Sequence, residues 1–185
     1  MAHRVCPWWL GYWLICPLLR PGQNPHEILV PYVHDGWTVF EPGPGMGFFT
    51  LELARLVGPS GRVVAVDIQP KMLDRLKRRA AKVGFLERVD ARIASPESMG
   101  IADLQGSVDF TLAFAVVHEL RDARRFFAEV ASASKPGASL LLVEPKGHVK
   151  ELEFDAELQA ARDAGFKFGD RPDIRRTQAA LLRKS

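Results

Sequence analysis

Val39-Phe40-Glu41-Pro42-Gly43-Pro44-Gly45-Met46-Gly47-Phe48-Phe49 is the stretch that decides the fold. An apolar run starting at Trp37 ends on a carboxylate, glycines then recur at every second position, and an apolar helix-like pattern follows. The pattern predicts a strand, a tight loop and a helix start, which together let a backbone approach a nucleotide-like ligand closely. Glycine suits such a loop because it tolerates unusual dihedrals and puts no Cβ in the ligand's way.

Outward from this loop the chain alternates strands and helices. Arg62 to Asp67 is a buried, parallel-type strand that also ends in a carboxylate. Before the loop, Asn24-Pro25-His26-Glu27 has the cap, first-turn proline and acid of a short helix start. After it, Phe48 to Val57 and Pro70 to Val83 have helical spacing, the latter with Met72, Leu73 and Leu76 inward and Lys71, Arg75, Arg78, Arg79 and Lys82 largely outward. Val89 to Ala94, Val108 to Val117, Ser139 to Glu144, Phe166 to Phe168 and Thr177 to Arg183 read as strands. Helices are expected over Asp122 to Ser134 and Val149 to Ala164, with a connecting helix near Met99 to Leu104 and a Lys135-Pro136-Gly137 turn. This order is that of an α/β domain with a largely parallel sheet.

Composition sets the outer limits. A chain of 185 residues, 47% hydrophobic and 25% charged, fits one ordinary globular domain. A net charge of +3 is too mild to announce a nucleic-acid face, and the arginines at 75, 78, 79, 121, 124 and 125 read as solvated helix surfaces. Cys6 and Cys16 have no zinc spacing and make no disulfide framework, so no metal site is expected and a reducing, cytoplasmic compartment fits. Residues 1–24 form a separate aromatic segment carrying Trp8, Trp9 and Trp13. Proline interrupts it before it reaches the ~20 apolar residues a bilayer span needs, and no cleavage pattern follows it. It is expected to pack on the domain of residues 25–185, to lid a substrate pocket, or to form a partner surface such as a homodimer contact.

The glycines allow three nucleotide classes. A phosphate-cradling loop needs Lys-Ser/Thr after its last glycine, where this chain has Phe48-Phe49. The dinucleotide fingerprint of NAD-type oxidoreductases needs its third glycine at position 48, one residue later than Gly47. The loop is instead Glu-x-Gly-x-Gly-x-Gly, and with it the sequence resembles the class I S-adenosylmethionine-dependent methyltransferases. The resemblance runs from about Pro25 to the C-terminus and includes Asp67, 20 residues after Gly47, Asp109 at the start of the fourth strand and the Lys-Pro-Gly turn. The segment Ala113-Phe114-Ala115-Val116-Val117-His118-Glu119-Leu120 is similar to small members of the family.

The resemblance implies a three-layer Rossmann-like sandwich. Its seven-stranded sheet would have the order 3-2-1-4-5-7-6, mostly parallel with the last strand antiparallel. It implies S-adenosylmethionine as cofactor, bound by Glu41, Gly43, Pro44, Gly45 and Gly47, by Asp67 on the ribose hydroxyls, by Ile68 on the adenine face, and by Phe114 and Ala115. Either Ser95 or Glu97 would meet the adenine amine. A carboxylate can accept two charge-assisted hydrogen bonds from a cis-diol, and a sulfonium ligand without phosphate needs no loop lysine. Since Pro42 and Pro44 lack an N–H, ligand contacts at the loop are expected from the glycine amides.

His118-Glu119 leaves the fourth strand beside the expected methyl group. His118 is a candidate base or acceptor-orienting group with Glu119 polarising it; alternatively His118 packs on the cleft rim and Glu119 begins the next helix. No Asn/Asp-Pro-Pro-aromatic run of base-amino methyltransferases occurs at Ala113 to Val116, and two cysteines are few for arsenite chemistry. A small, partly apolar acceptor is expected. An oxidoreductase of the NAD type and a non-catalytic binding protein on the same scaffold are the competing readings.

Overall fold

A computed structural model describes residues 22–185, so the aromatic segment, with both cysteines, lies almost wholly outside the described residues. Helix α1 (Pro25–Leu29) starts as its sequence dictates, with the Asn24 side chain accepting the His26 N–H and proline in the first turn. Strand β1 (Thr38–Pro42) leads through the glycine loop into α2 (Thr50–Leu56), and β2 (Arg62–Asp67) into α3 (Pro70–Lys82). Then come β3 (Val89–Ile93), β4 (Val108–Phe114), α4 (Ala123–Ala133), β5 (Ser134–Pro145), α5 (Glu151–Asp163), β6 (Phe166–Asp170) and β7 (Thr177–Lys184). The expected connecting helix shrinks to a single 3₁₀ turn, Ala102–Leu104.

The strands form one seven-stranded sheet of order β3-β2-β1-β4-β5-β7-β6, as expected for the class. All neighbouring pairs are parallel except those of β7, which runs antiparallel to both β5 and β6. Both faces are buried, and successive residues serve opposite sides. Phe40, Val64, Val66, Leu140 and Leu142 pack with Phe126, Phe127, Phe154 and Leu158 of α4 and α5. Val39, Val63, Ala65, Leu141 and Val143 pack with Leu29, Leu53, Leu73 and Leu76 of α1, α2 and α3. Two buried faces are why these strands read as nearly continuous apolar runs.

The Lys135-Pro136-Gly137 segment does not turn the chain away from the sheet before β5 begins. It lies inside β5 as a bulge, the register passing from Val108↔Ser134 to Phe110↔Ser139. Pro136 supplies no N–H and Gly137 has φ +78°, so the ladder buckles locally while pairing resumes on both sides. Lys135 Nζ donates to Asp109 Oδ1 at 2.5 Å, and Asp109 Oδ2 accepts the Thr38 N–H at 2.9 Å. One carboxylate thereby ties the starts of β1, β4 and β5 together, at the edge opposite the glycine loop.

Candidate functional site: an acid-flanked cleft at the carboxyl edge of the sheet

The carboxyl ends of the central strands converge on a cleft of about 270 Å³. β1 delivers Glu41 and the loop, β2 delivers Asp67, and the exit of β4 delivers Phe114, Ala115 and, on a 3₁₀ turn, His118 and Glu119. Open α/β sheets bind ligands at this edge. The rest of the wall is largely apolar, including Met72, Ala94, Met99 and Leu120. Phe49 packs on Phe114 with ring centroids 4.4 Å apart, and Phe48 stands edge-on to Phe49.

The loop glycines have different tasks. A Cβ on Gly45 would meet nothing within 4 Å, so its bare backbone faces open space in the cleft. A Cβ on Gly47 would stand 2.4 Å from Leu76 Cδ1, so Gly47 lets the loop sit down on α3 and does not line the cleft. The amides are also spoken for. Gly43 N–H donates to Val66 O at 2.8 Å and Gly47 N–H to Pro44 O at 2.9 Å. The Gly45 amide faces the Asp67 carboxylate. In the ligand-free loop these amides hold the loop's shape and Asp67's orientation. Arg79 adds a clamp, its guanidinium donating to Met46 O at 2.5 Å from a half-buried position on α3.

Glu41 is 4% exposed, and its Oε2 has no hydrogen-bond partner among the described residues. Burial pushes its carboxyl up to about 8, the nearby Thr50 hydroxyl pulling down and the Asp67 charge pushing further up. Asp67 is 9% exposed and is raised by burial, against the lowering pull of the Gln69, Gly45 and Ile68 amides; Gln69 N–H donates to Oδ1 at 2.8 Å. Ile68 stays 45% exposed on the cleft wall, a free apolar surface for a flat ring. Ala115 has φ +54°, a strained value for a residue with a Cβ, where β4 ends against the cleft.

On the turn after β4 His118 is not alone. Its Nδ1 lies 2.5 Å from Glu144 Oε2, and Glu144, fully buried at the end of β5, also accepts the Val117 N–H through Oε1 at 2.8 Å. The Glu144 hydrogen bond raises the His118 pKa; burial opposes it, and the charges of Glu144, Glu119 and Glu157 add to it. Glu157 of α5 is 7% exposed with Oε2 unpartnered, and burial followed by the Glu144 charge pushes it up to about 8. His148 stacks on His118 with centroids 6.4 Å apart. Glu119 lines the cleft beside His118, while the next helix takes its cap from Asp122, whose side chain accepts the Arg125 N–H.

Ten of the expected residues thus share one cleft: Glu41, Gly43, Pro44, Gly45, Asp67, Ile68, Phe114, Ala115, His118 and Glu119. Ser95 and Glu97 do not reach it. Both are exposed, and the Ser95 hydroxyl accepts the Glu97 and Ser98 N–H groups, closing its own turn. Ala94 and Met99, on either side of that turn, take the wall position instead. Glu144, Glu157 and His148 went unassigned in the sequence; for Glu144 the available signal was the one Glu41 and Asp67 share, an acid closing an apolar strand.

The cleft fits a sulfonium nucleoside carrying an amino acid group. The free Oε2 of buried Glu41 suits an ammonium, Asp67 suits a cis-diol, and Gly45 leaves a cradle a Cβ would fill. Sheet order, loop and paired acids define a Rossmann-like nucleoside-binding protein.

Comparison with known proteins agrees. A family model described as a methyltransferase domain matches residues 40–142. The chain is 30% identical over 143 residues to the ubiquinone/menaquinone biosynthesis C-methyltransferase UbiE of Klebsiella pneumoniae, covering 77% of this chain and 49% of that protein. It is 30% identical over 107 residues to an arsenite methyltransferase of Halobacterium salinarum, covering 58% of this chain and 27% of that protein. It therefore spans half or less of these curated relatives. A SAM dependent methyltransferase from Aquifex aeolicus shares the fold at a TM-score of 0.82 and 23% identity, over 97% of this chain and 98% of that one. The chain belongs to the class I S-adenosylmethionine-dependent methyltransferase family. No helix among the described residues is long and apolar enough to cross a membrane.

Proposed function

We propose that this protein transfers the methyl group of S-adenosylmethionine to a small, partly apolar acceptor. The observation that carries the reading is the buried Glu41 carboxyl, its Oε2 without a partner among the described residues, sharing one apolar cleft with Asp67 and His118. Glu41 holds the cofactor's ammonium and Asp67 its ribose hydroxyls, which supplies two charge-assisted anchors. The cofactor supplies an electrophilic methyl on a sulfonium, displaced in line by a nucleophile. The chain's share of the work is alignment and exclusion of water, through Phe49, Phe114, Met99 and Leu120. His118, on the turn after β4 that lines the same cleft, orients the acceptor or takes its proton.

The names of the relatives support a small acceptor, a quinone precursor in one case and arsenite in the other. Arsenic(III) prefers thiolate ligands, and this chain has two cysteines, Cys6 and Cys16, which weighs against arsenite. The test is calorimetry with S-adenosylhomocysteine and with NAD, followed by turnover assays over quinols, phenols, amines and thiols. Binding of S-adenosylhomocysteine and turnover of at least one acceptor is the expected result. Binding of NAD alone would overturn the reading, and cofactor binding without turnover of any acceptor would make the protein a non-catalytic binder.

A further inference from the structure

We propose that the His118 end of the cleft is an acceptor subsite for an acidic hydroxyl, a phenol or an enol, bound as its anion against an imidazolium that Glu144 positions. The inference rests on the methyl-transfer reading and names the class of acceptor.

Three observations carry it. The first is the division of polar groups in the cleft. Glu41 and Asp67 flank the loop and serve the cofactor, which leaves His118, Glu119 and His148 as the ionisable side chains on the acceptor side. The second is how His118 is held. Nδ1 is committed to Glu144, whose other oxygen accepts the N–H groups of Val117 at 2.8 Å and His118 at 3.3 Å. A fully buried carboxylate thus fixes both the ring and the turn that carries it, and Nε2 is the ring nitrogen left for the cleft. The third is the wall. Phe49, Phe114, Met99 and Leu120 give the cleft apolar lining suited to a conjugated ring or enol.

The charges around His118 select among acceptors. Glu144 from β5, Glu157 from α5 and Glu119 from its own turn all favour its protonated form, and His148 stacks on it from the loop after β5. An imidazolium repels an ammonium-bearing acceptor. An aliphatic alcohol holds its proton too tightly to yield it to an imidazole, whereas phenols and enols are close enough in acidity for the transfer. The acceptor's O–H proton goes to His118 Nε2, or is lost to solvent when His118 is already protonated. The anion then forms the new bond to the methyl carbon, and the electron pair of the broken C–S bond stays on sulfur. Nothing beyond acceptor and cofactor is consumed.

The test uses 4-nitrophenol, whose ionisation is visible by absorbance, titrated against the protein saturated with S-adenosylhomocysteine. The bound probe's apparent pKa is expected to fall by about one unit, roughly a tenfold higher phenolate-to-phenol ratio at a fixed pH, as for an acid beside one opposite charge. His118→Gln should remove the shift and leave S-adenosylhomocysteine affinity unchanged. Glu144→Gln should move the His118 ring titration, followed by NMR, to lower pH and shrink the probe's shift. An unmoved His118 titration would remove Glu144 from the positioning role. If Glu144→Gln does not fold, the His118→Gln comparison still decides: a full shift in that variant overturns the subsite. Failure of the wild-type protein to bind the probe, or binding as neutral phenol, also overturns it while cofactor binding leaves the methyl-transfer reading standing. Failure to bind S-adenosylhomocysteine overturns both.

Discussion

Glu41 and Asp67 are both buried acids at strand ends, yet the backbone treats them differently. Asp67 receives amide donors and is ready for a diol, so Asp67→Ala should weaken S-adenosylhomocysteine binding by about 1–3 kcal/mol, measured by calorimetry. Unchanged affinity would show that Asp67 does not hold the ribose. Glu41 has no donor on Oε2 and carries a proton below about 8 in the free protein. An arriving ammonium lowers that pKa, so binding releases a proton and affinity should rise with pH until about 8. Glu41→Gln should weaken binding and flatten that pH dependence. A slope that survives in the variant would take Glu41 away from the ammonium. Both acids were legible in the sequence because each closes its own strand. The role of Glu144 was not, since it depends on a partner, His118, that lies 26 positions away in the chain.

The glycine loop shows that one repeated residue can answer two demands. Gly45 has φ +54° beside open cleft, so Gly45→Ala should keep the fold at about 1–2 kcal/mol of strain and weaken S-adenosylhomocysteine roughly tenfold or more. Gly47 has φ +84° with Leu76 fully buried against it, so Gly47→Ala should act on stability instead, lowering it by about 1–3 kcal/mol in urea denaturation. Equal effects of the two substitutions on binding would show that both glycines face the ligand. The α3 pattern put Arg79 among the outward residues. It is half-buried because the Met46 carbonyl, exposed by the loop's tight geometry, draws its guanidinium under the loop. Burial lowers its pKa, and charge-assisted donation to the loop offsets the lost hydration.

The ionisable groups of the cleft leave a mark on the stability of the entire domain. Glu41 and Glu157 are raised from 4.5 to about 8, so the folded protein keeps protons that the unfolded chain gives up. Their contributions are present below 4.5 and are lost as pH rises towards about 8. His118 has the same sense, because its raised folded pKa gives stability that is full below 6.5 and fades as pH climbs through the folded value. Glu52, lowered by Arg55 and His26 against the opposing effect of burial, acts in the other direction, losing its contribution as pH falls below 4.5. The ligand-free protein should therefore lose stability as pH rises from 4.5 to about 8 and level off above that. Urea midpoints across pH measure this, and Glu157→Gln should make the decline shallower. A stability that climbs from pH 5 to about 8 would refute the burial argument for both acids.

Most of the architecture is written locally. Apolar runs long enough for strands, helical spacing between them, and acids closing β1 and β2 depend on neighbours a few residues apart, so the α/β order, the loop and Glu41 with Asp67 could be read directly. Sheet order and cofactor came from the resemblance those motifs carry, and the fold agrees with both. What needed three dimensions are the contacts between distant segments: the Lys135-Pro136-Gly137 bulge inside β5, the amides of the glycine loop turned inward, Ser95 closing its own turn, and Glu144 gripping His118. Each is a hydrogen-bond or packing choice among partners that only the completed sheet brings within reach. For that reason Glu41, Asp67 and His118 were legible in the linear chain, while the buried Glu144 that holds His118 emerged only from folding.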